Sequence, residues 1–88
     1  MGAVTINVLL FASYADAAGR AEFEVAIPRG STVSDVVAEV QRTLAGNPSG
    51  SQGIPAKPLV AVNQEYASYE RVVHAGDEVA LIPPVAGG

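Results

Sequence analysis

The sequence predicts an α+β domain, a mixed sheet of about five strands with one main helix packed on one face. Three observations predict it. Residues 4–12 and 21–27 alternate apolar and polar side chains with the period of two of half-buried strands. After them Val33, Val36, Val37, Val40 and Leu44 fall at helical spacing and form one apolar stripe. Residues 78–82 then return to a strand pattern in which Val79 and Leu81 share one face and Ala80 and Ile82 the other. With 88 residues, a single domain is expected.

In the first strand Ile6, Val8 and Leu10 point one way, and Thr5, Asn7, Leu9 and Phe11 the other. The second face begins polar and ends apolar, so Leu9 and Phe11 are exposed if it faces water. Residues 13–19 read as one short helical turn, with Ser13 to cap it and Gly19 to stop it. The second strand turns Phe23, Val25 and Ile27 inward and Glu22 and Glu24 outward, and the short connection implies an antiparallel pair. Proline, lacking a ladder donor, closes it at Pro28. Thr32 opens the main helix: its hydroxyl is placed to accept from the Asp35 N–H, and Asp35 to reach back, as in a capping box. Gly46 is the expected cap at the other end, with Pro48 preventing resumption. Residues 46–58 are rich in Gly, Pro and Ser and read as a surface loop. Residues 59–62 form a short strand, Asn63-Gln64 a hairpin turn, and residues 65–67 a short edge strand. Tyr69, Val72 and Val73 are expected to plug the end of the sheet, and residues 74–77 to turn into the last strand. Placing the first and last strands side by side and parallel, with the helix crossing one face, gives a β-grasp sheet.

Composition excludes several classes of function. The hydrophobic fraction of 49% against 16% charged residues is that of a folded globule. The formal charge of −4, with five scattered Lys and Arg, leaves no basic face for nucleic acid, and a basic partner surface suits the chain better than an anionic one. The absence of cysteine excludes disulfides and side-chain thiolate chemistry. A single His74 makes no zinc site, so no metal is expected. No apolar run approaches a membrane span, and residues 1–6 carry neither a signal-peptide basic stretch nor a myristoylation pattern, so no membrane association and a cytoplasmic location are expected.

The chemistry is expected in residues 83–88, Pro-Pro-Val-Ala-Gly-Gly, an exposed flexible tail on a domain of residues 1–82. Pro83 and Pro84 fix φ, remove two donors and end the ladder. Gly87 and Gly88 lack Cβ and accept almost any backbone conformation, so they can thread a narrow channel. On this reading the Gly88 carboxylate is the reactive group and the rest of the chain is its handle.

In this order Val8-Leu9-Leu10-Phe11-Ala12, Gly30-Ser31-Thr32-Val33, Val60-Ala61-Val62-Asn63-Gln64, Gly76-Asp77-Glu78-Val79 and the stretch from Ile82 to Gly88 resemble the MoaD family. These are the ubiquitin-like small, sulfur-carrying subunits of molybdopterin synthase, within the MoaD/ThiS superfamily. The resemblance covers nearly the whole chain. It implies a non-catalytic subunit that binds no stable cofactor. An E1-like adenylyltransferase uses ATP to form a transient acyl-adenylate at Gly88, and a sulfur donor system converts it to a thiocarboxylate. The charged carrier docks on the large synthase subunit, in an assembly of two small and two large subunits, and donates sulfur to cyclic pyranopterin monophosphate. The resemblance further implies a partner-binding patch of Leu9, Phe11, Tyr66 and Ile82, continued by Pro83, Pro84, Val85 and Ala86. One departure stands out: where many relatives carry Arg and Leu after the first strand, this chain reads Tyr14-Ala15-Asp16-Ala17-Ala18, so a contact through that Arg has no counterpart.

Plainer readings account for the remaining candidates. His74 is a solvated turn residue, Lys57 a surface lysine, and Glu22 and Glu24 a solvated strand face rather than a catalytic pair. Two other functions remain open: the same tail chemistry serving thiamin, cysteine or tRNA thiolation or protein modification, and a β-grasp binding module with an inert tail.

Overall fold

The computed structural model describes residues 2–11, 13–44 and 58–83. The expectations for Ala12, for the Gly46 cap and Pro48, for most of the 46–58 loop with Lys57, and for Pro84 to Gly88 lie outside the described residues. The elements run β1 (Ala3–Leu10), α1 (Ser13–Ala18), β2 (Glu22–Pro28), α2 (Val33–Leu44), β3 (Leu59–Val62), β4 (Glu65–Tyr66) and β5 (Glu78–Ile82). They form one five-stranded sheet in the order β2-β1-β5-β3-β4. The β1/β5 pair is parallel and the others antiparallel, as a β-grasp sheet requires. No helix among the described residues is long and apolar enough to cross a membrane.

Alternation decides which face is the core. Val8 is paired with Phe23 on one side and Val79 on the other, Val62 pairs with Val79, and Leu10 and Val60 both pair with Leu81. These side chains share one face with Val4, Ile6, Val25 and Ile27, and all but the half-buried Phe23 are buried. Against them α2 lays Val33, Val36, Val37 and Val40, all buried. Valine is a modest helix former, so α2 depends on this packing rather than on intrinsic propensity. Tyr14, Ala18 and Val73 complete the core.

The ends of the elements are set by local chemistry. Strand β1 stops at Leu10, two residues earlier than alternation suggests. Its ladder with β2 runs out at Leu9 opposite Glu22, and the Phe11 carbonyl accepts the Tyr14 N–H to start α1. Phe11 therefore follows the strand instead of ending it. Helix α1 stops where Gly19, at φ +77°, donates to the Ala15 carbonyl. At the start of α2 the capping box is only half as expected. The Asp35 carboxylate reaches back to accept the Thr32 N–H at 2.9 Å, but the Thr32 hydroxyl donates to the same oxygen at 3.3 Å instead of accepting from Asp35. The N–H groups of Val33 and Ser34, which have no partner within the helix, are answered by the carbonyls of Arg71 and Tyr69. Thus residues 69–73 cross the start of the helix, with Val73 buried and Val72 exposed. The Tyr69 hydroxyl donates to the Pro58 carbonyl and ties that segment to the beginning of β3.

Candidate functional site: the outer sheet face and the root of the C-terminal tail

The register places the outer-face residues in rows across the strands. In one row Leu9 of β1 lies beside Ala80 of β5, Ala80 beside Ala61 of β3, and Ala61 beside Tyr66 of β4, with Glu22 of β2 on the far side of Leu9. The next row toward the end of β5 holds Ile82 opposite Leu59. Phe11 and Ile82 each follow the last residues paired in the parallel ladder, Leu10 and Leu81, so they emerge at the same end of the sheet. Pro83, half-buried, comes next.

Exposure shows that this end is unusual. Four large hydrophobic residues are exposed among the described residues: Phe11 at 46%, Leu59 at 46%, Tyr66 at 75% and Val72 at 42%. The first three gather at the outer face and the end of β5, whereas Val72 bridges to Thr32 beside α2. Single exposed apolar side chains need no explanation, but an apolar patch gathered beside one chain segment has the character of an interface. Between its large members the row carries Ala61 and Ala80, both 6% exposed, so the centre is low and the margin is raised. Leu9 and Ile82 are half-buried.

The structure therefore brings together Leu9, Tyr66 and Ile82, with Phe11 at the same end. It adds Leu59, which sequence reasoning missed. The signal was available: in Leu59-Val60-Ala61-Val62, Val60 and Val62 take the core face, so Leu59 and Ala61 must take the other. Pro84, Val85, Ala86, Gly87 and Gly88 lie outside the described residues.

Strand β5, which leads to Pro83, is anchored at its start. At its start the Glu78 N–H donates to Asn63 Oδ1 at 3.0 Å, and the Asn63 N–H donates to the Glu78 carbonyl at 2.8 Å. Asn63 Nδ2 donates to Asp77 Oδ1 at 3.1 Å, while Asp77 Oδ2 accepts the His74 N–H at 2.8 Å. The β3–β4 turn makes this possible, because Asn63 and Gln64 both have positive φ, 51° and 73°. Burial pushes the Asp77 carboxyl upward, but the bonds from His74 and Asn63 and the nearby His74 and Arg71 charges outweigh it and hold the group below its ordinary value. His74 is exposed, and the segment it lies in makes a turn, as expected. Among the described residues no cluster of acidic, histidine or cysteine side chains could hold a metal ion.

A mixed five-stranded sheet with a parallel β1/β5 pair at its centre and α2 on one face defines a β-grasp domain, here with an apolar outer face that runs to the end of its last strand. The chain belongs to the ThiS family, whose model matches residues 8–88. It is 34% identical over 86 residues to the molybdopterin synthase sulfur carrier subunit of Mycobacterium tuberculosis, covering 97% of this chain and 99% of that one. To the molybdopterin synthase sulfur carrier subunit of Arabidopsis thaliana it is 33% identical over 85 residues, covering 97% and 84%. Among solved structures it resembles SAMP1 from Haloferax volcanii, with TM-score 0.78, 32% identity, and 96% and 99% of the two chains covered.

Proposed function

We propose that this chain is a sulfur carrier of molybdenum cofactor biosynthesis, acting as the non-catalytic small subunit of molybdopterin synthase in the cytoplasm. The observation that carries the reading is the convergence of the outer apolar face, Leu9, Leu59, Tyr66 and Ile82, on the strand end that leads to Pro83. Beyond it the sequence supplies a segment ending Gly87-Gly88. The relatives named as sulfur carrier subunits support the pathway.

The chemistry follows from what a terminal carboxylate lacks. It is a poor electrophile until an E1-like enzyme joins it to the α-phosphate of ATP, releasing pyrophosphate. A sulfur nucleophile from the donor system then displaces AMP and leaves a thiocarboxylate at Gly88. This group is ionised at neutral pH and offers a soft nucleophilic sulfur to the pterin precursor, cyclic pyranopterin monophosphate. The chain binds no cofactor of its own in this scheme, and ATP belongs to the activating enzyme. What the chain contributes is placement. The outer face docks on the large subunit, two of each assembling together, and the stiff Pro83-Pro84 base limits the freedom lost as Gly87 and Gly88 enter the partner.

Intact-mass spectrometry after incubation with the activating enzyme, ATP and a sulfur donor tests this. The expected product is heavier by the difference between sulfur and oxygen, and a chain never adenylated overturns the proposal. A second reading, attachment of Gly88 to other proteins, draws support from the likeness to small archaeal modifier protein 1. Its test is a search of cell digests for lysines bearing the chain's C-terminal residues.

A further inference from the structure

The outer face is acidic at the end away from the tail. Glu24 of β2 and Glu78 of β5 both pair with Asn7 of β1, one on each side, so they stand two strand spacings apart, about 10 Å. Glu22 lies two residues along β2 from Glu24 on the same face and flanks Leu9 directly. Three of the chain's nine acidic side chains thus share this face.

No cation answers them among the described residues. The positions on this face are Thr5, Asn7 and Leu9 of β1, Glu22, Glu24 and Ala26 of β2, Leu59 and Ala61 of β3, Tyr66 of β4, and Glu78, Ala80 and Ile82 of β5. Arg20 places its guanidinium over the Phe23 ring, 5.5 Å from its centre, and Phe23 belongs to the core side. Arg42 is paired with Glu39 on α2. Arg29 lies in the turn after β2, and Arg71, in the segment that crosses the start of α2, lies near Asp77 and not on this face.

We infer that the protein covering this face carries a basic rim, placed to meet Glu22, Glu24 and Glu78 when its apolar centre meets Leu9, Leu59, Tyr66 and Ile82. The carboxylates steer the encounter and fix its orientation, while the apolar rows hold the complex once formed. A second copy of this chain does not fit, since the described positions of its own outer face offer no cation to the acidic strip in any face-to-face pairing. Nucleic acid does not fit either, because its backbone has the same sign. The inference rests on the large-subunit reading above and specifies the charge of that partner's contact surface.

The test is association kinetics with the purified large subunit of molybdopterin synthase, over a salt series in which the Debye length falls from about 30 Å to about 3 Å. Wild-type association is expected to slow steeply along the series. Neutralising the strip, as Glu22→Gln/Glu24→Gln/Glu78→Gln, is expected to lower the low-salt rate about tenfold and to converge on wild type at high salt. Dissociation should stay within about twofold, and the melting temperature should not fall, because only repulsion has been removed. The double variant Glu22→Gln/Glu24→Gln, confined to exposed positions, gives the same direction if Glu78→Gln disturbs β5. A variant that associates at the wild-type rate at low salt, or a wild-type rate independent of salt, overturns the basic rim alone. A wild-type chain that does not bind the large subunit at any salt overturns the large-subunit reading and this inference with it.

Discussion

Truncating a leucine on each face of the sheet separates a docking surface from a core. Leu59 and Leu81 lie on neighbouring strands; Leu81 is fully buried between Leu10 and Val60, and Leu59 is 46% exposed opposite Ile82. Leu81→Ala opens a cavity in the buried core and should cost about 3–4 kcal/mol. For a domain of this size that is a fall in Tm of more than about 12 °C. Leu59→Ala gives up only about half of a leucine's transfer energy and leaves no closed cavity, so about 1 kcal/mol is expected. Against the large synthase subunit the weight falls on Leu59: loss of an apolar anchor from an interface costs about 1–2 kcal/mol, a weakening of Kd by about 5- to 30-fold. Urea unfolding measures the first pair of numbers and titration calorimetry the last. If Leu59→Ala loses about 3 kcal/mol or more of stability, it is a core residue. If it leaves Kd within about twofold of wild type, the outer face is not the interface.

Four further outcomes are expected. Deleting Gly88 should abolish sulfur transfer, read by intact mass, with the thermal melt unchanged. Asp77 titrates lower in the folded chain than in the unfolded one, so its contribution is complete above the ordinary carboxylate value of about 3.9 and drains as pH falls through the lowered one; Asp77→Asn should flatten that acid limb in unfolding measured against pH. Tyr14 is buried with its hydroxyl unpartnered among the described residues, whereas Tyr69 bonds to the Pro58 carbonyl; Tyr14→Phe should be neutral or stabilising, and Tyr69→Phe should cost about 1 kcal/mol by denaturant melt. Gln64→Gly should raise stability by up to about 1 kcal/mol, because Gln64 holds φ 73°.

The fold was legible because its strands are half-buried and alternate. Val79 and Leu81 against Ala80 and Ile82 marked the two faces of β5, and the valine stripe marked the one face of α2. The β1/β5 pairing was also within reach, since both strands carry residues fit for a sheet interior. What alternation could not give was where hydrogen bonding ends. Phe11 continues the pattern of β1 but leaves the strand, because β2 has no further partner for it and its carbonyl is taken by Tyr14. Thr32 matched a capping sequence, yet a hydroxyl has two roles and the sequence does not choose between donor and acceptor. The candidate patch was legible in Leu9, Tyr66 and Ile82. Leu59 was missed because a short strand was read for its existence and not for its two sides. The acidic strip was visible as Glu22 and Glu24, but its third member, Glu78, joins it only through the shared neighbour Asn7.

The position of β5 also bears on how the chain reaches this form. Strands β1 and β3 do not pair with each other; the β2-β1 and β3-β4 pairs are joined only through β5, which lies between them. Asn7 and Glu78 meet although they lie roughly 70 residues apart, a loop whose closure entropy must be met before the contact returns anything. Until that closure occurs, the β1–β2 and β3–β4 hairpins are separate, and no row runs from Leu9 to Tyr66. The outer face is therefore a product of long-range pairing through β5 and not of any local element. A partner that gripped this face would select for completed molecules, and an incompletely folded chain would be refused without any separate inspection.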